Sequence, residues 1–206
     1  MMAPSLPARI QAELCHTYGI PEAPPVEDFI QPIDEADEAD EAGREVLFVR
    51  EDEDGVSLAL HLPRAALEPK SPPFDLLCQV VEGVSHFLYL AERARRELPA
   101  TQLELELQAE VDKYVLLVHG PLAARRFDPA RAARIRARLF EAVVYLHPPG
   151  TERGDRYRLA NDLAARFAGR LEESFARRGH FDRMRRALRS FYAAGQSDKI
   201  TLARAA

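Results

Sequence analysis

The strongest constraint on the fold of this chain is a succession of helix start and stop signals in its C-terminal two thirds. Capping residues such as Thr101, followed three residues later by Glu104, begin apolar-periodic segments, and residues such as Pro99 and Gly179 end them. These signals predict five helices, at residues 75–98, 101–118, 128–146, 155–178 and 182–194. Because the connections are short, neighbouring helices are expected to pack antiparallel in a compact bundle.

A β-hairpin is predicted before the helices. Residues 46–49 form an apolar run of β type, residues 51–55 form a turn signal ending in Asp-Gly, and residues 56–62 alternate apolar with small or polar side chains. An isolated hairpin is marginally stable in water, so it must pack on the helices or pair with another strand. The predicted fold class is therefore mainly α, of the α+β type, with about five helices.

The first 45 residues differ in character from the rest. A short helix is predicted at residues 4–20 from apolar residues at helical spacing, and the prolines that follow end it. Residues 31–45 are acidic and of low complexity, with almost nothing to bury, so a flexible linker is expected. The chain is thus divided into an N-terminal helix with an acidic linker, 1–45, and one helical domain with an N-terminal β-hairpin, 46–206.

Charge is distributed unevenly along the chain, although the formal net charge is only −5. Residues 1–124 hold 24 acidic and 9 basic residues, whereas residues 125–206 hold 9 acidic and 19 basic residues. Such asymmetry indicates a polyanion-binding end, an acidic surface for a partner, or two halves that attract each other.

The arginines of the C-terminal part are predicted to lie on exposed helix faces. In the helix at 182–194 they lie off the apolar stripe, and they form a candidate partner-binding set: Arg183, Arg185, Arg186 and Arg189. Arginines of this helix and of the helix at 128–146 can also neutralise phosphates, so nucleic-acid binding is an alternative. No helix-turn-helix, RNA-recognition or zinc-finger module is legible, so we favour a protein partner.

The helices at 75–98 and 101–118 carry ionisable residues among apolar ones. Glu82 and His86 share one face of the first helix, and Glu106, Glu110 and Lys113 line one stripe of the second. Because the two helices are expected to form a hairpin, these sets can face each other. One histidine with three carboxylates suits a metal or ligand site, and a carboxylate beside His86 suits acid–base chemistry. Sealed pairs, such as Glu110 with Lys113, are the structural alternative.

Two other residues carry local predictions. Gly83 lies inside a predicted helix, where glycine costs about 1 kcal/mol relative to alanine, so close approach of another part of the chain is expected. Cys15 precedes His16, but no third group is recognisable that would orient the histidine as a base. The two cysteines lie apart in the sequence without a Cys-x-x-Cys motif, which argues against a disulfide framework and a cysteine zinc site.

The sequence lacks the nucleophile elbow, Walker loop, dinucleotide fingerprint, His-Glu-x-x-His and kinase motifs. It also lacks an apolar run of membrane length and a signal-peptide core. We therefore interpret the chain as a bacterial, cytoplasmic, non-enzymatic protein–protein interaction or adaptor module. Its partner is predicted to be another protein or a second copy, with no cofactor and no membrane contact. The alternatives are a small helical metal- or ligand-binding enzyme centred on His86, and a nucleic-acid-binding protein.

Overall fold

The computed structural model describes residues 4–33, 45–52, 55–67, 72–120 and 127–205. In these ranges the chain is mainly helical with a small three-stranded sheet, which confirms the predicted class at that level. The α-helices are α1 Leu6–Tyr18, α2 Arg64–Leu67, α3 Phe74–Arg95, α4 Gln102–His119, α5 Pro129–Arg136, α6 Glu152–Ser174, α7 Phe181–Ala193 and α8 Gln196–Arg204. The strands are β1 Ile30–Ile33, β2 Val46–Asp52 and β3 Gly55–Pro63.

The chain divides into two compact units. The first contains Met1–Cys15 and Ile20–Pro99, and the second contains His16–Gly19 and Ala100–Ala206. The first carries 20 acidic and 8 basic residues, a formal charge of −12, and the second carries 13 acidic and 20 basic residues, a formal charge of +7. The two units thus also carry opposite charge, although the contrast is smaller than that between residues 1–124 and 125–206. The predicted linker falls mostly on residues 34–44, outside the described residues, and the predicted boundary at residue 45 stays a prediction.

The sheet of the first unit has the order β1-β3-β2. The hairpin predicted from the sequence corresponds to β2 and β3, which pair antiparallel from Val46 opposite His61 to Asp52 opposite Gly55. The third strand was not predicted: β1 pairs in parallel with β3, from Ile30 opposite Leu60 to Ile33 opposite Pro63. It contains Pro32, which is tolerated because β1 lies at an edge of the sheet.

Gly83 allows α3 to approach β3 closely. A Cβ atom at this position would lie 2.8 Å from Cδ1 of Leu60 and 3.2 Å from Cδ2 of Leu62, and both leucines are fully buried. The predicted close approach is therefore confirmed, and it involves leucine side chains of the sheet. The core of the first unit lies at this contact, where α3 covers one face of the sheet.

The second unit is built around α4 and α6. The predicted capping box is present: the Thr101 hydroxyl accepts from the Glu104 amide, and the Glu104 carboxylate accepts from the Thr101 amide. Asp128 caps α5 by accepting from the amides of Ala130 and Arg131. Gly179, in the left-handed region with φ of 70°, ends the short 3₁₀ turn that follows α6.

One predicted helix is shorter in the structure than in the sequence-based prediction. Instead of reaching residue 146, α5 continues as a π-helical turn, Ala137–Glu141, and residues 142–150 form a loop. Aromatic side chains of this loop pack on α6, as described below, which explains why the helix does not continue. The C-terminal helix α8 was also missing from the prediction.

Candidate functional site

Glu82 and His86 lie one turn apart on α3 in the first unit, as their spacing predicts. Glu82 is buried and His86 is half-buried. Both sit in a segment where Val80, Val81, Val84 and Phe87 are also buried. A carboxyl group and an imidazole are therefore held inside an apolar helix, where each requires a polar partner.

The other three predicted ligand-binding residues, Glu106, Glu110 and Lys113, lie on α4 in the second unit. Glu106 is buried, and Nζ of Lys113 lies 2.8 Å from Oε1 of Glu110, so the intrahelical ion pair exists. A pair of this type with a half-buried carboxylate stabilises its helix by a few tenths of a kcal/mol. The predicted convergence of Glu106 and Glu110 with the α3 residues stays a prediction.

The four arginines predicted to bind a partner lie on α7 and differ in their contacts. Arg183 and Arg186 are exposed, and Arg185 reaches Asp182 at 3.7 Å. Arg189 donates from Nε to the carbonyl of Thr17 at 3.0 Å and from Nη2 to the carbonyl of His16 at 3.4 Å. Arg189 therefore holds the C-terminal end of α1, and Arg183 and Arg186 are better placed to contact a partner.

A buried polar network in the second unit was not predicted. Gln108 donates from Nε2 to Oδ1 of Asp112 at 2.9 Å, and its Oε1 accepts from Nζ of Lys199 at 2.6 Å. The hydroxyl of Tyr18 donates to Asp112, and Lys199 also donates to the carbonyl of Phe191 at 2.9 Å. Burial raises the pKa of Tyr18, and the negative charge of Asp112 raises it further, so the phenol stays protonated.

A second buried carboxylate joins α4 and α6. The Tyr114 hydroxyl donates to Oε1 of Glu172 at 2.9 Å, while Arg136 and Arg177 each bring a guanidinium nitrogen to 3.6 Å from Oε2. His119, whose Nε2 lies 3.5 Å from the Tyr114 hydroxyl, has its pKa lowered to about 4 by burial. The imidazole is therefore neutral at physiological pH.

The sequence carries a weak signal for these two networks. Gln108 and Asp112 are four residues apart on a helix that is otherwise mostly apolar, which places two polar groups on one buried face. Their partners, Tyr18 and Lys199, lie 90 and 91 positions away from Gln108 along the chain. Because no local pattern links residues so far apart, the networks become visible only in the folded chain.

Cys15 does not have the environment of a nucleophile. Burial raises the pKa of its thiol, and the negative charge of Glu92 raises it further. Reactive cysteines instead have a lowered pKa and a positive environment. The Glu92 carboxylate is held by two hydrogen bonds from Arg95, at 2.9 Å each, and its pKa is lowered chiefly by these bonds. The carboxylate thus stays charged and favours the neutral thiol.

The loop of residues 142–150, which we call the apolar loop, presents aliphatic side chains to solvent. Val144 is 88% exposed and Leu146 is 60% exposed. Tyr145, which lies between them, and His147, which follows Leu146, are half-buried. The guanidinium of Arg158 lies 4.4 Å from the ring centroid of Tyr145, and the His147 ring stacks on Tyr157 at 5.9 Å. Alternate side chains thus point towards α6 and away from it.

No family model, curated protein or solved structure matches this chain. None of the helices in the described ranges combines the length and the apolar character that a bilayer-spanning segment needs. The contacts and exposures within each unit are therefore the basis of a functional proposal.

Proposed function

We propose that this chain is a cytoplasmic protein-binding module and that its second unit binds a partner protein through the apolar loop. The observation that carries the proposal is the exposure of Val144 and Leu146 on a loop that is fixed to α6. Single exposed aliphatic residues are common on protein surfaces, whereas neighbouring exposed aliphatic residues add to the kind of apolar patch that marks interaction sites.

The backbone of the apolar loop is held at several points. Arg158 donates from Nη1 to the carbonyls of His147, at 3.0 Å, and Gly154, at 2.8 Å. The Thr151 hydroxyl donates to the carbonyl of Pro148 at 2.8 Å, and the amide of Gly150 donates to Asp155 at 2.9 Å. A loop held in this way loses little conformational entropy when it binds.

Gly154 makes this attachment possible. A Cβ atom here would lie 2.1 Å from the carbonyl oxygen of Pro148, so only glycine lets the loop lie against the first turn of α6. The Gly154 amide also donates to the Thr151 hydroxyl at 3.1 Å, which caps the helix. The loop and the start of α6 therefore form one rigid local structure.

The energy available from this surface is part of what a specific contact needs, because association also costs translational and rotational freedom. Full burial of a valine or leucine side chain contributes about 1.5–3 kcal/mol, and the two side chains lie two residues apart on one loop. The charge of +7 on the second unit favours a partner that is acidic around the surface that receives Val144 and Leu146.

The arginines of α7 support the same interpretation. Arg183 and Arg186 are exposed cations on the unit that carries the apolar loop. Where a partner reaches such exposed charges, they accelerate association and select partners more than they add affinity. The metal-binding and nucleic-acid alternatives stay predictions.

The proposal is tested with a photo-crosslinking amino acid at Val144 and, as a matched control, at the exposed Ala133 of α5. Cell extract is the source of partners, and mass spectrometry identifies the adducts. We expect a defined adduct from position 144 only, and we expect Val144→Ser combined with Leu146→Ser to remove the same protein from affinity capture. Leu98→Ser, which changes an exposed leucine of the first unit, is expected to retain it.

Two outcomes would overturn the proposal. One is equal labelling from positions 144 and 133. The other is capture that the loop variants leave unchanged while circular dichroism shows that they are folded. Sedimentation of the purified protein separates a second copy from a different protein as the partner, because only self-association depends on the concentration of this chain.

A further inference from the structure

The second unit contains a group of charged residues that the proposed function does not use, arranged around the buried carboxylate of Glu172. Nη1 of Arg136, in the last turn of α5, lies 3.6 Å from Oε2 of Glu172. Nη2 of Arg177, in the 3₁₀ turn that follows α6, lies 3.6 Å from the same oxygen. Because both nitrogens are equally far from one atom, they are at most twice that distance apart.

The two ion pairs with Glu172 are longer than hydrogen bonds. Charge-assisted N–H···O bonds measure about 2.7–2.9 Å, whereas each guanidinium nitrogen lies 3.6 Å from the carboxylate oxygen. Within the described ranges, neither Arg136 nor Arg177 donates a hydrogen bond to another residue. A guanidinium has five N–H donors, so both side chains retain donors for a further acceptor.

The group carries more positive than negative charge. Two guanidinium cations share one carboxylate, which leaves a formal charge of +1. Tyr114 donates to Oε1 of Glu172 and stays neutral, because burial and the charge of Glu172 raise its pKa. His119 is also neutral, since burial lowers its pKa to about 4. An anion is therefore the ligand that the charge of this group favours.

The two cations are accessible, whereas the carboxylate between them is not. The side chains of Arg136 and Arg177 are 35% and 49% exposed, and that of Glu172 is 1% exposed. Nη1 of Arg136 also lies 3.9 Å from the position that a Cβ atom of Gly169 would take on α6. Because Glu172 and α6 already limit where the guanidiniums lie, an anion that pairs with them orders few additional side-chain rotamers.

The shape of the guanidinium group and its number of donors favour phosphate over carboxylate as this anion. A guanidinium presents its donors in a planar fork that matches phosphate oxygens. A phosphate monoester carries a charge of about −1.5 to −2 at pH 7 and has three acceptor oxygens, so it can pair with two forks. A carboxylate has one charge and two oxygens, which suit a single fork.

We infer that Arg136 and Arg177 together bind the phosphate group of a phosphate monoester. The monoester belongs either to a small molecule or to a phosphorylated side chain of another protein, and both present the same three oxygens. A phosphodiester has one charge and two terminal oxygens, so it should bind more weakly. The site is independent of the apolar loop, because neither Val144 nor Leu146 is part of it.

The test is isothermal titration calorimetry of the full-length chain at low ionic strength in a buffer without phosphate. The probes are glycerol phosphate, a peptide with one phosphoserine between alanines, and dimethyl phosphate as the diester control. We expect at least one monoester to bind at least tenfold more tightly than dimethyl phosphate. Tighter binding of glycerol phosphate would assign the site to a small molecule, and tighter binding of the peptide would assign it to a modified protein.

Matched variants separate this site from general attraction by positive charge. Arg136→Gln and Arg177→Gln should each weaken monoester binding at least tenfold. Arg134→Gln in α5 and Arg178→Gln beside Arg177 remove the same charge from exposed neighbours and should change the affinity much less. Circular dichroism checks that each variant is folded.

A lysine variant keeps the test decisive if a glutamine variant does not fold. Arg177→Lys retains the positive charge beside Glu172 but loses the planar fork, so it should also weaken monoester binding. Three outcomes would overturn the inference: no binding of either monoester, equal binding of the monoesters and dimethyl phosphate, or equal weakening by all four glutamine variants. The last outcome would mean that only the overall charge of the second unit attracts the anion.

Discussion

Lys199 donates a hydrogen bond from Nζ to Oε1 of Gln108 at 2.6 Å, and both side chains are fully buried. Gln108 in turn donates to Asp112, so the amide links a buried ammonium group to a buried carboxylate. A buried charge is tolerated only when its partners are present. The network thus fixes the arrangement of Tyr18, α4 and α8 inside the second unit.

Lys199→Met should lower the free energy of unfolding by about 2–5 kcal/mol, because it leaves the Gln108 and Asp112 side chains without their cation. Urea denaturation followed by circular dichroism measures the change. Arg166→Met is the control, since it breaks an exposed pair with Asp162 and should cost at most about 1 kcal/mol. A Lys199→Met variant as stable as wild type would show that the buried cation contributes no net stability.

His119→Gln should reduce the acid sensitivity of the fold. The pKa of His119 is lowered from 6.5 to about 4 by burial, so between these pH values the unfolded chain binds a proton that the folded chain does not. The stability that the neutral imidazole of His119 provides relative to its protonated form is fully present above pH 6.5 and is lost as the pH falls towards 4. Wild type should therefore lose roughly 2–3 kcal/mol more than the variant over that interval.

Urea titrations at several pH values give this comparison, and His180→Gln is its control because that histidine is exposed. The control should follow the wild-type pH profile. A His119→Gln profile parallel to that of wild type would contradict the prediction.

Gly83→Ala and Gly169→Ala should have opposite effects on stability. At Gly83 a new methyl group meets the fully buried Leu60, so the variant should be destabilised by about 1–3 kcal/mol. At Gly169, inside α6, the nearest atom to a new Cβ is a guanidinium nitrogen of Arg136 at 3.9 Å. Alanine there should stabilise the helix by about 0.5–1 kcal/mol. Thermal melts measure whether the melting temperature rises or falls in each variant. Equal shifts of the melting temperature in one direction would refute the packing argument.

Arg158→Gln should release the apolar loop without unfolding the second unit. The variant loses the hydrogen bonds to the carbonyls of His147 and Gly154 and the contact with the Tyr145 ring. Limited chymotrypsin digestion should then cut after Tyr145 or Leu146 several-fold faster than in wild type. Arg153→Gln, an exposed residue of the same helix, should digest at the wild-type rate. Unchanged cleavage of Arg158→Gln would mean that other contacts hold the loop.

The predicted metal site is tested on α3. If His86 and Glu82 bind a transition metal, Zn²⁺ or Mn²⁺ should raise the melting temperature of untagged wild type and should leave that of His86→Ala unchanged. His180→Ala controls for binding to an exposed histidine. Absence of metal in the purified protein, together with identical responses of wild type and His86→Ala, would exclude the site.

Local signals predicted the elements of this fold better than their contacts. The capping box at Thr101 and the helix-ending Gly179 were legible because each requires only neighbouring residues. The end of α5 was predicted at the wrong residue because the contacts that hold residues 142–150 as a loop are made to α6. There Arg158 and Tyr157 contact the aromatic rings of the loop.

The candidate surfaces were less predictable than the elements. The sequence indicated arginines on α7 but could not show that Arg189 donates hydrogen bonds to carbonyl groups of α1. It also indicated a long helix where the apolar loop occurs, so the exposure of Val144 was invisible. Exposure depends on which elements cover a residue, and that information is distributed over the whole chain.

The assignment of His16–Gly19 to the second unit has a consequence for synthesis on the ribosome. Tyr18 leaves the ribosome early, but its buried partners Asp112 and Tyr192 follow 94 and 174 residues later. The second unit therefore cannot complete its core until the segment that contains Tyr192 has been translated. A fragment that begins at Ala100 would also lack Tyr18, so cutting the gene between the two units would expose a cavity in the second one.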